Sequence, residues 1–245
     1  MGSGLAEVVA RAGINVVVRS RTLSGAQSML ATVEGNLAKQ VSKGKMTEDE
    51  RATVLSHISI TESLTDLANC DLVIESILEE LTAKQALFAE LDGIVKPSAI
   101  LATNTSTLPV IKMAQATNRP DKVCGIHFFN PAVLMPLVEI VRPITASDET
   151  IAAATAFATT CAKEPVQVLD RAGFIVNALL FPYLNNAVRM FEAGTASMED
   201  IDVAMKGGCN FPMGPFALLD LVGLDTSVAI LDALHAEFKD DNYVV

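Results

Sequence analysis

Residues 1–22 read MGSGLAEVVARAGINVVVRSRT, which sets a helix directly ahead of a short apolar run. Leu5, Val8, Val9 and Ala12 recur at helical spacing and Gly13 supplies a stop, so residues 1–13 are expected to form an amphipathic helix. Residues 14–18 (INVVV) are expected to form a buried strand. A helix that feeds a parallel strand normally follows a strand of its own, so this stretch reads as the back half of a β-α-β unit. That reading organises the rest of the chain.

Working outward, further apolar, β-branched runs fall at 72–74, 100–102, 123–126, 138–141 and 166–169. Between them, residues 23–42, 48–56, 79–95, 108–116 and 148–162 carry helical patterns. This alternation implies a mostly parallel, doubly wound sheet with helices on both faces. Past Asp170 the rhythm stops. Residues 174–192, 198–205 and 224–238 read as helices with no strand between them, and the loop GGCNFPMGP divides the last two. Two domains are therefore expected: α/β over 1–170, and all-helical over 171–245.

The chain has 245 residues, half of them hydrophobic, which is enough for one large or two moderate cores. No apolar run approaches a membrane span and no signal peptide is present, so no membrane partner is expected. The four cysteines (Cys70, Cys124, Cys161, Cys209) show no metal or redox spacing. They read as small buried hydrophobes in a reduced, cytoplasmic protein, and no metal is expected. The net charge of −11 argues against a nucleic-acid partner. Residues 1–45 nevertheless carry six Lys/Arg against two Asp/Glu, so a polyanionic small ligand or a solvated helix face belongs there.

In a dinucleotide-binding unit, glycines bring the backbone of a helix N-terminus to the pyrophosphate. Gly2 and Gly4 stand at such a start. The tip of the next strand meets the adenosine ribose, which places Arg19, Ser20 and Arg21 there. Two guanidiniums and a hydroxyl suit a 2′-phosphate, so NADP is expected over NAD.

The second informative stretch is residues 125–141, GIHFFNPAVLMPLVEIV. His127 ends a strand, at the carboxyl edge where open α/β sheets bind ligands. Glu139 lies in another apolar run and is costly to bury unless paired. An imidazole beside it would satisfy that need, giving a general base with an orienting carboxylate. In LATNTSTLPV, Asn104, Thr105 and Ser106 follow a strand; Ser106 reads as a ligand contact or a helix cap. Asn177 stands among apolar residues, where its partners are structural or the substrate.

The blocks NTSTL, GIHFFNPAVLMPLVEIV, GFIVNALLFPYLNNAVRMFEAG and FPMGPFALLDLVGLD together resemble the L-3-hydroxyacyl-CoA dehydrogenases, closest to the bacterial 3-hydroxybutyryl-CoA dehydrogenases. The resemblance runs over nearly the whole chain. It implies a Rossmann-type doubly wound sheet, then a helical domain that forms a homodimer, with an acyl-CoA substrate and a nicotinamide cofactor. Position by position, it makes His127 the acid–base and Glu139 its partner, with Ser106 and Asn177 on the substrate. It places Glu79 and Lys84 at the cofactor, and Asn36 and Lys43 near the CoA moiety. Gly2, Asn104 and Asn130 complete the candidate cofactor contacts. Members of that family begin with a strand and a Gly-x-Gly turn ahead of the position of Met1, and continue past that of Val245. The resemblance therefore implies a piece with its first strand missing, unpaired strand edges and weak cofactor binding. Rival readings are a hydroxyacid or gulonate dehydrogenase sharing the His–Glu pair, and an inactive crystallin-like relative. A β-hydroxyacid dehydrogenase is disfavoured, because no lysine stands one turn after Asn177.

Overall fold

A computed structural model describes all 245 residues. Helix α1 (Gly2–Arg11) leads into β1 (Val16–Arg19), α2 (Leu23–Ser42), α3 (Glu48–Ser56) and β2 (Ile58–Thr61). Then follow β3 (Leu72–Glu75), α4 (Leu81–Asp92), β4 (Ile100–Thr103), α5 (Val110–Ala114) and β5 (Val123–Phe128). The sheet region closes with β6 (Leu137–Arg142), α6 (Asp148–Thr160) and β7 (Glu164–Leu169). Four helices complete the chain: α7 (Val176–Glu192), α8 (Met198–Cys209), α9 (Pro215–Val222) and α10 (Leu224–Phe238). Residues 1–105 and 109–170 form one compact unit, and residues 106–108 with 171–245 form another.

Local chemistry sets the element boundaries. Thr22 accepts the Gly25 N–H to start α2, and Thr47 and Glu50 form a reciprocal capping box on α3. Ser147 opens α6 in the same way. The short α5 borrows its cap from far along the chain: the Asp170 carboxylate accepts the N–H groups of Val110 and Ile111 at 2.9 and 2.7 Å. A negative group there also complements the helix dipole.

The strands fall into two sheets, β1-β2 and β3-β4-β5-β6-β7. β1 bonds only to β2 and β3 only to β4, so each has one unpaired edge. The β5–β6 pairing is antiparallel, a local departure from the mostly parallel reading. The reason is the connection between them, residues 129–136. It is too short for the helical crossover that a parallel pair requires.

Side chains alternate across the strands. Cys124, Ile126 and Phe128 of β5, with Val138 and Ile140 of β6, join Leu5, Val8 and Val9 of α1 and Ile151, Ala154 and Ala158 of α6 in one core. Gly125, His127, Glu139 and Val141 therefore lie on the opposite face. There the sheet is tight. A Cβ on Gly125 would stand 2.7 Å from the Val141 Cβ and 3.3 Å from Val110 of α5. Gly125→Ala is expected to cost about 2 kcal/mol through overpacking. It would be read as a lower urea midpoint at unchanged slope. A midpoint equal to the parent's would contradict this close approach.

In the helical unit, Phe181, Leu184, Leu219, Leu231 and Leu234 build a separate core. The Asp202 carboxylate caps α9 by accepting the N–H groups of Phe216 and Ala217. The cysteines divide. Cys124 and Cys161 are buried, and burial pushes their thiols up to about 12 and about 11. Cys70 is half-buried and Cys209 is exposed, so the expectation of four buried thiols is corrected. Cys209 closes the last turn of α8 beside Gly207 and Gly208, whose Cβ positions face open space.

Candidate active site

The alternation that puts Ile126 and Ile140 in the core turns the residues between them outward to the other face. The antiparallel register then sets His127 directly opposite Glu139. Their side chains meet: His127 Nδ1–H donates to Glu139 Oε2 at 2.8 Å. The donor assignment follows from the partner, because a carboxylate only accepts. Glu139 is 1 % exposed and His127 5 %, so each supplies the polar partner that the other's burial demands. A buried carboxylate here fixes the imidazole's tautomer and orientation, and stabilises the ring when it takes a second proton. That is the equipment of a general acid–base.

Two further contacts steady this strand end, and the sequence carried no signal for either. The Phe129 ring lies 4.6 Å from the His127 ring, tilted by 53°. Asn104, beyond the end of β4, accepts the Phe128 N–H through Oδ1 at 2.8 Å. The loop after β4 is thereby tied to the strand that carries His127.

The remaining candidates have distinct placements. Glu79 and Lys84 come together at 3.3 Å. Lys84 is 1 % exposed, and its ammonium donates to both oxygens of buried Glu75. Asn36 donates its amide to the buried carboxylate of Glu7, which Arg11 also binds. Lys43 is exposed at the end of α2, and Asn130 is exposed beyond β5. Ser106 belongs to the unit of the C-terminal helices, as does Asn177, buried in the first turn of α7. Gly2 opens α1, Arg19 closes β1, and Ser20 and the exposed Arg21 follow it.

The model of the 3-hydroxyacyl-CoA dehydrogenase NAD binding domain matches residues 1–171, and that of the C-terminal domain of the same family matches residues 173–245. A 3-hydroxybutyryl-CoA dehydrogenase of Mycobacterium tuberculosis is 46% identical over 99% of this chain and 86% of its own length. One from Clostridioides difficile is 44% identical over the same shares. The crystal structure of (S)-3-hydroxybutyryl-CoA dehydrogenase from Ralstonia eutropha superposes with a TM-score of 0.97 at 40% identity, covering 100% of this chain and 86% of that one.

The match to an NAD binding domain overturns the expectation of NADP drawn from Arg19, Ser20 and Arg21. The structure gives the physical reason. Arg19 Nε donates to the Glu62 carbonyl at 3.1 Å, tying the ends of β1 and β2. The Glu62 carboxylate stands in the same corner, accepting the Leu23 N–H at 2.9 Å. Ser20 lies under Gly25, where a Cβ would meet its hydroxyl at 2.4 Å. Arg19 and Ser20 are thus taken up in closing the fold beside a carboxylate, a poor setting for a phosphate. NAD fits the residues present: α1 opens with no carboxylate in its first turn and no side-chain cap on its N–H groups, which suits a pyrophosphate. Gly4 also lets Ala132 approach, its Cβ position lying 3.4 Å from that of Ala132.

Proposed function

The chain belongs to the 3-hydroxyacyl-CoA dehydrogenase family, and from that premise we propose that it interconverts (3S)-3-hydroxybutyryl-CoA and acetoacetyl-CoA. It is an NAD-dependent oxidoreductase acting on 3-hydroxyacyl-CoA substrates. The four-carbon substrate is supported by the two bacterial relatives above, both 3-hydroxybutyryl-CoA dehydrogenases. The observation that carries the mechanism is the buried His127–Glu139 pair on facing strands.

In oxidation, His127 takes the proton of the 3-hydroxyl as the C3–H bond breaks and the C3 carbonyl forms. Nδ1 is committed to Glu139, so the exchanging nitrogen is assigned to Nε2. Glu139 holds the doubly protonated ring until the proton is released. In reduction, the same ring returns the proton to the 3-oxo group. NAD, when bound, supplies the hydride acceptor at its nicotinamide ring. Gly2 and the α1 amides, Glu79, Asn104 and Asn130 would hold it, with Lys84 beside Glu79. Ser106 and Asn177 hydrogen-bond the hydroxyl or thioester carbonyl, and Asn36 and Lys43 serve the CoA moiety.

The helical unit leaves Leu179, Val203, Leu221 and Leu224 largely exposed, which supports a homodimer formed through it. The four free cysteines support a reducing cytoplasmic setting. No helix is long and apolar enough to cross a membrane.

Acetoacetyl-CoA reduction tests this reading, assayed on the protein prepared with the flanking segments that make up the rest of its relatives' length. NADH is expected to sustain turnover, with NADPH at least about tenfold poorer in kcat/KM. Equal use of the two, or no reduction with either, would contradict it.

A further inference from the structure

The carboxyl ends of β3 and β4 carry a cluster of ionisable and hydroxyl groups that acid–base chemistry at His127 does not use. Glu75, Lys84, Thr103 and Thr105 are all buried. Lys84 Nζ donates to Glu75 at 2.8 and 2.9 Å, and lies 3.3 Å from Glu79 Oε2. The Thr105 hydroxyl donates to Glu79 Oε1 at 2.5 Å. The Thr103 hydroxyl donates to Glu75, and its oxygen accepts the Thr105 N–H at 3.1 Å. Glu75 Oε2 also accepts the Ile77 N–H at 3.0 Å. The chain of contacts closes on itself, from Glu75 through Lys84, Glu79, Thr105 and Thr103 back to Glu75.

Glu79 is the one member of this ring that reaches solvent, its side chain being 41 % exposed. An exposed glutamate on a loop samples many rotamers, and ordering it on binding costs conformational entropy. Here both its oxygens are already held. The ion pair behind it does not explain itself by stability, because well-packed apolar residues commonly serve a buried site as well or better. What the pair and the threonines supply is direction. Each group is fully bonded, and the one carboxylate they leave at the surface is fixed.

We propose that Thr105, Thr103 and Glu75 are positioning residues for the nicotinamide cofactor, acting with Lys84 to hold the Glu79 carboxylate ready for it. This rests on the reading that Glu79 contacts NAD. Lys84, at 1 % exposure between two carboxylates, then serves the cofactor through Glu79. The ring joins the ends of β3 and β4 to the first turn of α4, so it also fixes the base of the loop that presents Asn104.

The test uses the full chain and NADH titrations followed by cofactor fluorescence. Thr105→Val keeps the side-chain shape and removes only the hydroxyl. It is expected to raise the NADH Kd about tenfold, with the KM for acetoacetyl-CoA and the Tm unchanged. Thr105→Ser is expected to restore parental affinity, and Thr103→Val to weaken NADH in the same way. Glu79→Gln separates the two claims. If Glu79→Gln weakens NADH while Thr105→Val and Thr103→Val bind it as the parent does, the positioning role is wrong and the Glu79 contact stands. If Glu79→Gln leaves NADH affinity unchanged, the contact itself is wrong and the proposal falls with it. A lower Tm in Thr105→Val at parental NADH affinity would mark the ring as structural and overturn the proposal.

Discussion

His127→Gln is expected to lower kcat for acetoacetyl-CoA reduction about a thousandfold, within the range that positioned general acids and bases contribute. The reason lies in the pairing. His127 is the titratable group that β5 holds against Glu139, and an amide cannot shuttle a proton at neutral pH. The glutamine side chain still offers a donor to Glu139, so the strand pair and its buried carboxylate remain hydrogen-bonded. NADH affinity is therefore expected to stay at the parental level while the chemical step fails. Steady-state kinetics beside a NADH titration check both halves. A kcat within a few-fold of the parent would remove His127 from the proton transfer.

Glu139→Gln is expected to be the next most severe, lowering kcat about a hundredfold or more by the logic of an orienting carboxylate. The side chain is 1 % exposed and nearly isosteric with its replacement, so the fold has no packing reason to change. Two things are lost. A neutral amide does not stabilise the doubly protonated imidazole. Its NH2 group can also face Nδ1 and favour the wrong tautomer. The Tm should move far less than the rate. A rate loss matched by loss of folded protein would assign Glu139 to stability instead.

Much of this architecture was legible because it rests on periodicity and caps. Helix α1 follows from its apolar spacing, and Gly13 just beyond it marks the stop in the sequence itself. Two elements escaped. β2 is only four residues, ISIT, directly after a helix and without a turn residue to announce it. α9 sits in an apolar stretch after Gly-Pro, and its cap is Asp202, on the preceding helix rather than beside it. Helix α5 borrows Asp170 from sixty residues away, and no local signal reveals that.

The site divides in the same way. His127 and Glu139 were readable as a costly glutamate and a histidine at a strand end, and the short 129–136 connection is what brings them face to face. The arginines of the β1 turn misled because their partner, Glu62, lies on the segment after β2, which local spacing does not reach. The ring around Lys84 was hidden for the same reason: it joins β3, α4 and β4, with Glu75 and Thr103 twenty-eight residues apart. Side chains that pair across the fold leave a composition in the sequence but not a register.

The most direct measurement is the oxidation of (3S)- and (3R)-3-hydroxybutyryl-CoA with NAD, followed as NADH formation by the parent protein with its flanking segments and by its His127→Gln variant. The account predicts turnover of the (3S) substrate by the parent, none of the (3R) epimer, and loss of the (3S) activity in the variant. It would be contradicted by a parent that oxidises neither epimer, or by a variant that oxidises the (3S) substrate as fast as the parent.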